Sequence, residues 1–346
     1  MPEIRFHFVG YGEELAPQQN TIILDVGKNL DFGILDHHQK TAPNECASSL
    51  VVKYPEYILD HLKGEKEITI ITHKYPDFDA VTASYLTKKL IETGEISKSM
   101  IKIAQYAKIV DSANLPINIP LENTPYAILY SLFHNINYFG ERKDKIQYIG
   151  EKRMRIGFSL LSEIENKIKE GIAVSQSIQY LSGFQDYEKA RQMINFDYME
   201  YLTDVKRAGK GTIKLLREDN KGLKSVDFFY IINPNSYLLK DWIKRDFKNS
   251  PSKKGFSLII SSLYEGNFMI ATSPLSGTYL KGLGELINRY EKEKRGEKNM
   301  EFLSWYEGDS PFFNYRIIAS PGDGTILTRE ELLDIFKKYL KLIEQN

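Results

Sequence analysis

The sequence predicts an α/β protein with two α/β domains and a helical segment between them. Over residues 1–120, apolar β-branched segments alternate with segments whose apolar residues recur at helical spacing. Residues 121–207 have mainly helical periodicity, and the alternation of strands and helices returns over residues 208–346. A chain of 346 residues is also too long for one ordinary hydrophobic core. We therefore predict an N-terminal α/β domain, a helical layer that acts as a connector, and a second, smaller α/β domain with these bounds.

The N-terminal domain contains four predicted strands, at residues 4–9, 21–26, 32–36 and 67–72. Helical spacing of apolar residues predicts helices at residues 45–54, 55–64 and 79–94. Strands that alternate with helices are typical of a parallel sheet. Residues 26–31, which join the second and third strands, are too few for a helical crossover, so they must cross as an extended loop if those strands are parallel.

The rest of the chain follows the same two patterns. The clearest helices of the connector are predicted at residues 151–171 and 187–209. In the C-terminal domain, β-branched and aromatic segments predict strands at residues 211–217, 225–234, 255–264, 267–274 and 314–321. Between and after them, helices are predicted at residues 236–247, 279–296 and 329–345.

Composition and charge argue against several classes of protein. Lys+Arg and Asp+Glu both number 46, so an anionic partner must be bound by a local site rather than by net charge. The single cysteine, Cys46, excludes an intrachain disulfide framework and a thiolate metal cluster. The N-terminal residues lack a basic region followed by an apolar one, and no run approaches about 18 apolar residues. We expect a cytoplasmic protein without a membrane anchor.

Acidic residues and histidines lie at the carboxyl ends of three of the predicted strands. They are Asp25 at the end of the second strand, Asp36, His37 and His38 at the end of the third, and His73, Asp77 and Asp79 after the fourth. The carboxyl ends of neighbouring parallel strands meet in one crevice, which is where such folds bind ligands. Asp111, at the end of another apolar segment, is a further ligand candidate, although an aspartate in that place is often a helix cap or turn former.

A crevice with four aspartates and two or three histidines would be self-repelling without a neutralising cation. Carboxylates and imidazoles without a thiolate suit divalent Mn²⁺, Mg²⁺, Fe²⁺, Co²⁺ or Zn²⁺. One carboxylate can also bridge two ions about 3.5–4 Å apart, which is the arrangement that hydrolyses phosphoryl groups. The residues themselves thus predict a metal site.

The segments "LDHH" (35–38) and "THKYPDFDAVTAS" (72–84) together resemble the DHH phosphoesterase superfamily. Its motifs are the Asp-His-His triplet and the His-x-x-x-Asp-x-Asp spacing, here at His73, Asp77 and Asp79. Members of the superfamily include exonucleases, nano-RNases, cyclic-dinucleotide phosphodiesterases, manganese inorganic pyrophosphatases and exopolyphosphatases. The resemblance implies a DHH-like N-terminal domain that hydrolyses phosphorus–oxygen bonds with two metal ions.

The resemblance also implies a role for each candidate residue. Six would be metal ligands, namely His73 and Asp77 for one ion, Asp79, His37 and Asp111 for the other, and Asp25 as the bridge. Two would be catalytic: His38 would polarise or protonate a phosphate oxygen, and Asp36 would orient the neighbouring imidazoles. The implied cofactor is a pair of divalent ions, manganese first, with magnesium, cobalt or iron as alternatives.

Two features depart from the family pattern. In the family, the His-x-x-x-Asp-x-Asp motif precedes the Asp-His-His triplet, whereas here it follows, as in a circular permutation. Such a site depends on where the strands lie and not on the order of the chain. The Gly-Gly-Gly-His segment of many nucleotide-cleaving relatives is missing from the C-terminal half, so the sequence leaves nucleotide recognition open.

The sequence therefore predicts a manganese-dependent phosphoesterase with a C-terminal domain that caps the substrate. We expect a small phosphorylated substrate: a nucleotide, a cyclic dinucleotide or, as the sole form of nucleic acid, a short oligonucleotide. Basic runs are usually solvated faces, but if the basic residues line the cleft, the substrate-binding candidates are Lys253, Lys254, Arg289 and Arg316. A pyrophosphatase- or exopolyphosphatase-like hydrolase and a non-catalytic nucleotide-binding regulator stay open as alternatives, and so does the oligomeric state.

Overall fold

The computed structural model of this protein describes residues 2–62, 64, 66–181, 184–262, 266–298, 300–322 and 324–345. The chain forms two compact units. The first unit contains residues 1–195 and 310–312, and the second contains residues 196–309 and 313–346. The helices that precede residue 196 therefore belong to the same unit as the N-terminal sheet. Both units combine helices with a five-stranded sheet, which confirms the predicted α/β class.

The sheet of the first unit contains all four predicted strands and one more. Its strands are β1 (Glu3–Val9), β2 (Thr21–Leu24), β3 (Leu30–Asp31), β4 (Ile34–Leu35) and β5 (Glu67–His73). They lie in the order β1-β5-β2-β4-β3, and β1, β5, β2 and β4 run parallel. β2 and β4 are buried along their whole length, as expected for strands covered on both faces of a parallel sheet.

A two-residue edge strand explains how β2 and β4 can be parallel neighbours. Ile23 lies opposite Ile34 in the direct pairing of β2 with β4. The chain returns through β3, which runs antiparallel to β4, and Gly33 makes the turn into β4 with a φ of 82°. The sheet predicted as parallel is therefore mixed, because a link too short for a helix returns in part as an antiparallel strand.

Helices surround this sheet. Those described before residue 187 are α1 (Ala47–Lys53), α2 (Glu56–Leu59), α3 (Phe78–Thr93), α4 (Lys98–Asp111), α5 (Pro125–His134), α6 (Arg142–Lys169) and α7 (Val174–Ser177). α3 begins where the Asp77 side chain accepts a hydrogen bond from Ala80 N, and it ends at Gly94 in the left-handed conformation. α3 packs against α1, α4 and α6, so it ties the sheet to the helical layer.

The second unit has a mixed sheet with helices on both faces. Its strands are β6 (Gly209–Leu216), β7 (Leu223–Ile232), β8 (Leu258–Ser262), β9 (Phe268–Thr272) and β10 (Ile317–Ala319), in the order β10-β9-β8-β7-β6. The remaining α-helices are α8 (Tyr187–Arg207), which begins among the residues of the first unit, α9 (Leu239–Arg245), α10 (Leu283–Glu297) and α11 (Arg329–Gln345). Ile259 packs in the cluster with α8 and α9, and its neighbour Ile260 packs in the cluster with α10 and α11. The last two residues of the predicted strand 255–264 lie outside the described residues.

α6 is the longest helix described, at 28 residues, and charged residues are spread along it. No helix in the described ranges combines the length and the apolar character needed to cross a membrane.

Candidate metal centre

The parallel strands of the first unit bring their carboxyl ends to one edge of the sheet. Asp25 follows β2, Asp36 and His37 follow β4, and His73 is the last residue of β5. Because β2 lies between β5 and β4, these ends are adjacent and their side chains converge. All four side chains are buried, so their polar atoms need hydrogen-bond or metal partners within the protein.

The converging side chains form three groups of possible metal ligands. Within each group, one ligand atom from every residue lies within 4.8 Å of the others. The groups are Asp25, His73 and Asp77; His37, Asp79 and Asp111; and Asp25, Asp36, His37 and His38. Buried aspartates and histidines in this arrangement could hold a metal ion. The first two groups have the same members as the two ligand sets implied by the family resemblance, and Asp25 also belongs with His37 in the third.

Asp25 lies between the first two groups. Its Oδ1 is 3.0 Å from His37 Nε2, and its Oδ2 is 3.3 Å from His73 Nε2, so each carboxylate oxygen faces one imidazole. Two ligands that bind one ion at about 2.1 Å and at right angles lie about 3 Å apart, which matches these separations. Burial alone would raise the pKa of Asp25, but the hydrogen bonds with His37 and His73 outweigh burial and hold the pKa far below its usual range.

The backbone of Asp25 is also unusual. Its φ of 60° lies in the left-handed region, which costs free energy for residues with a side chain and which aspartate and asparagine tolerate best. Asp25 N donates a hydrogen bond to Leu35 O at 3.1 Å, which ties this turn to the end of β4. A strained residue held by its neighbours is a common feature of functional sites.

The hydrogen bonds of His73 leave its Nε2 directed at the carboxylates. Nδ1 lies 3.1 Å from Lys74 O, and because a carbonyl oxygen can only accept, Nδ1 is the donor. Nε2 faces Asp25 and is 3.9 Å from Asp77 Oδ1. A metal-binding histidine commonly donates its second N–H to a backbone carbonyl in this way. Burial lowers the pKa of His73, but the bond to Asp25 and the charge of Asp77 raise the pKa overall.

Asp77 and Asp79 come from the start of α3. Asp77 caps the helix and its side chain is half-exposed, whereas Asp79 lies in the first turn and is buried. The Asp79 carboxylate accepts hydrogen bonds from Ala47 N at 2.7 Å and from Ser48 N at 3.1 Å, so it also caps α1. The pKa of Asp79 is raised, mainly because the carboxylate is buried and in addition because it lies near the negative charge of Asp25. A nearby cation would remove that repulsion.

The two histidines of the Asp-His-His triplet lie in different environments. His37 is buried, whereas the side chain of His38 is 33% exposed. Asp36 Oδ1 accepts from His37 N at 2.7 Å and lies 2.6 Å from His38 Nδ1, and Asp36 Oδ2 accepts from Lys28 N at 2.7 Å. Burial lowers the pKa of His38, but the bond with Asp36 and the charges of Asp36 and Asp25 raise the pKa to about 9. In the absence of a bound cation, the carboxylates of Asp36 and Asp25 therefore favour the protonated form of His38.

Asp111 reaches the site from a helix and not from a strand end. It is the last residue of α4, and its Oδ2 lies 3.6 Å from His37 Nε2. One turn earlier, Lys108 Nζ donates to Glu45 Oε2 at 2.7 Å, which ties the end of α4 to the segment before α1. The apolar run before Asp111 is helical, and the role of Asp111 as a metal ligand stays a prediction.

The four basic candidates for substrate binding all lie in the second unit, on three separate segments of the chain. Lys253 and Lys254 occupy an exposed turn, where Lys253 Nζ donates to Lys248 O at 2.6 Å. Arg289 is exposed on α10. Arg316 donates to Phe313 O at 3.0 Å and lies 3.7 Å from Glu218. The substrate-binding role of these residues stays a prediction.

Two residues beside the candidate metal ligands were not predicted from the sequence. Tyr11, two residues after β1, stacks on the imidazole of His73 with 4.6 Å between ring centroids and 28° between planes. Arg153, on α6, donates to the carbonyls of Tyr75 and Pro76, in the loop between His73 and Asp77. The carboxyl end of β1 offered a signal for Tyr11, because β1 ends at the same edge of the sheet. Arg153 offered none.

Comparisons with known proteins do not identify the chain: no protein-family model matches it, and no curated protein matches it. The residues of the site therefore carry the functional argument.

Proposed function

We propose that this chain is a binuclear metal-dependent phosphohydrolase that cleaves phosphoester bonds of a nucleotide, a cyclic dinucleotide or a short oligonucleotide. One observation carries the proposal: the two oxygens of Asp25 face His37 and His73, which belong to two different groups of possible ligands. A carboxylate that offers one oxygen to each of two ions is the characteristic bridge of two-metal hydrolases. Manganese is the favoured ion, and magnesium, cobalt and iron are alternatives because each of them also binds carboxylate or imidazole ligands.

The donor chemistry fits divalent ions that bind oxygen and nitrogen. The nearest sulfur candidate, Cys46, caps α1, and burial raises the pKa of its thiol well above the usual value. The charges of Asp79 and Asp111 raise the pKa further, so Cys46 stays a thiol and the available ligands are carboxylates and imidazoles. When bound, two such ions supply a water of lowered pKa and neutralise charge on phosphate oxygens.

The protein's own catalytic groups are Asp36 and His38. Asp36 holds the Nδ1 side of the His38 ring at 2.6 Å, and the backbone amides of Lys28 and His37 hold Asp36 in turn. The partly exposed His38 therefore keeps a fixed orientation and, when protonated, can donate its Nε2–H to a phosphate oxygen. That donation stabilises the negative charge that develops in phosphoryl transfer.

The test is a turnover screen with Mn²⁺ against a dinucleotide, a nucleoside monophosphate and pyrophosphate, with wild type, His38→Asn and His7→Asn. We expect diester cleavage by wild type, a loss of about 10²- to 10⁴-fold in kcat for His38→Asn, and unchanged Mn²⁺ binding in that variant. His7 is an exposed histidine on β1, so His7→Asn is the matched control and should keep full activity.

Two outcomes would contradict the proposal. Hydrolysis of pyrophosphate alone would favour a phosphoanhydride hydrolase. Binding of two ions with no turnover of any substrate would favour a non-catalytic regulatory protein.

A further inference from the structure

Tyr11 covers one side of the candidate metal centre with an exposed aromatic ring. One face of the ring stacks on His73, and Tyr11 as a whole is 59% exposed. The hydroxyl of Tyr11 donates to Tyr75 O at 3.5 Å, which holds the side chain over the loop that carries the metal-ligand candidates. An exposed ring next to a phosphoryl-transfer centre is a surface on which a nucleobase can stack.

Arg153 lies beside the same loop and has an incomplete set of partners. Its Nη1 donates to Tyr75 O at 2.6 Å and to Pro76 O at 3.1 Å, and its guanidinium lies 5.0 Å from the centre of the Phe133 ring. Among the described residues, Nε is shielded from solvent without a hydrogen-bond partner, and Nη2 has none either. Tyr75 O accepts from both Tyr11 and Arg153, so the ring and the guanidinium are neighbours.

Among the residues that the structure describes, no ion pair compensates the charge of Arg153. No carboxylate lies within 4.0 Å of its guanidinium in the described part of the chain, although the charge of Asp77 acts on it from a greater distance. Burial lowers the pKa of Arg153, but an arginine stays charged at neutral pH. The partners of this half-buried cation are carbonyls and aromatic rings, which bear no full negative charge, so a bound anion would stabilise it. Guanidinium groups favour phosphate for this purpose.

We propose that Tyr11 and Arg153 form a subsite for the nucleotide next to the scissile phosphate, with the base on the outer face of Tyr11 and the phosphate on Arg153. This inference rests on the proposed phosphohydrolase function. It narrows the substrate to a nucleotide chain with a second phosphate, such as a 5′-phosphorylated dinucleotide. A phosphodiester without a base and without a second phosphate leaves the subsite empty.

Arg153 also holds the loop between His73 and Asp77, and the experiment must distinguish this structural role from the binding of substrate. If Arg153 served only to hold the loop between His73 and Asp77, its loss would weaken Mn²⁺ binding and slow the turnover of every substrate equally. A subsite predicts effects that depend on the substrate. The comparison therefore uses the 5′-phosphorylated adenine dinucleotide, the same dinucleotide without the 5′-phosphate, and methyl p-nitrophenyl phosphate, each with Mn²⁺.

The variants are Arg153→Gln and Tyr11→Leu. Arg153→Gln should lower kcat/KM about 10- to 100-fold for the 5′-phosphorylated dinucleotide and much less for the other two substrates. Tyr11→Leu should lower kcat/KM about 10-fold for both dinucleotides and much less for the methyl ester. The matched controls are Arg155→Gln, an exposed arginine on the same helix, and Tyr180→Leu, a tyrosine that is 54% exposed elsewhere. Both controls should match wild type.

Calorimetric binding of AMP in the presence of Mn²⁺ tests the subsite independently of turnover. Weaker AMP binding in Arg153→Gln and Tyr11→Leu, with wild-type binding in the two controls, supports the subsite even if no substrate is hydrolysed, and in that case only the proposed function fails. Equal AMP binding by all five proteins, or equal losses for all three substrates, overturns the inference and leaves the phosphohydrolase proposal standing.

Discussion

Replacing Asp25 by asparagine removes the carboxylate charge that we propose bridges two ions, and it keeps the backbone geometry. Asparagine tolerates the φ of 60° at this position, whereas alanine would add about 1–2 kcal/mol of left-handed strain. The amide can still bond with one of His37 and His73, so the metal-free protein should lose about 1–3 kcal/mol of unfolding free energy. Asp25→Asn is therefore expected to fold, and Asp25→Ala to be the less stable of the two.

The effect on catalysis should be far larger than the effect on stability. A bridging carboxylate supports charge stabilisation of several kcal/mol, and a loss of about 4 kcal/mol corresponds to about 10³-fold in rate. The assay is Mn²⁺-dependent dinucleotide hydrolysis, with Mn²⁺ binding measured by calorimetry and folding by thermal denaturation. Asp25→Asn should be folded, bind fewer ions and show at least that loss. Wild-type turnover in a folded Asp25→Asn would refute the bridging role.

Two further predictions concern stability. Hydrogen bonds from Lys169 and Tyr85 outweigh burial and lower the pKa of Glu165, so the stabilisation by its carboxylate is present above pH ~4.5 and lost as the pH falls through the folded pKa. In urea unfolding, Glu165→Gln should therefore lower the unfolding free energy by about 1–2 kcal/mol at pH 7 and by clearly less near pH 3.5. A loss of unfolding free energy that does not change with pH would contradict this prediction. A methyl group on Gly157 of α6 would collide with Val81 of α3, so Gly157→Ala should lower the unfolding free energy by about 1–3 kcal/mol. Gly296 of α10 has open space where a methyl group would lie, so Gly296→Ala should raise the unfolding free energy slightly. The same change for both glycines would refute the packing explanation.

The sequence predicted the strand ends well because the signal there is local. Apolar β-branched runs that stop at Asp25, Asp36 and His73 indicate both the strand and the place where polar side chains emerge. The parallel pairing that makes these ends adjacent was an inference from the alternation of elements, and the pairing of β2 with both β4 and β5 agrees with it. The antiparallel β3 was missed because two residues carry no periodicity.

Other parts of the site depend on packing between distant segments, which one sequence does not encode locally. The apolar run before Asp111 is short enough to be a strand or a buried helix by pattern alone, and it is the end of α4. Arg153 comes from the middle of a long polar helix, about 80 residues from the loop that it holds. The basic candidates were selected by charge alone, yet the ammonium group of Lys253 donates a hydrogen bond to Lys248 O, close to it in the chain.

Anomalous X-ray diffraction at the manganese edge, from crystals grown with Mn²⁺, tests the proposed pair of ions. We expect two manganese peaks about 3.5–4 Å apart, one beside His73 and Asp77, the other beside His37, Asp79 and Asp111, with Asp25 coordinating both. A single peak, no peak, or manganese bound elsewhere on the chain would contradict that proposal.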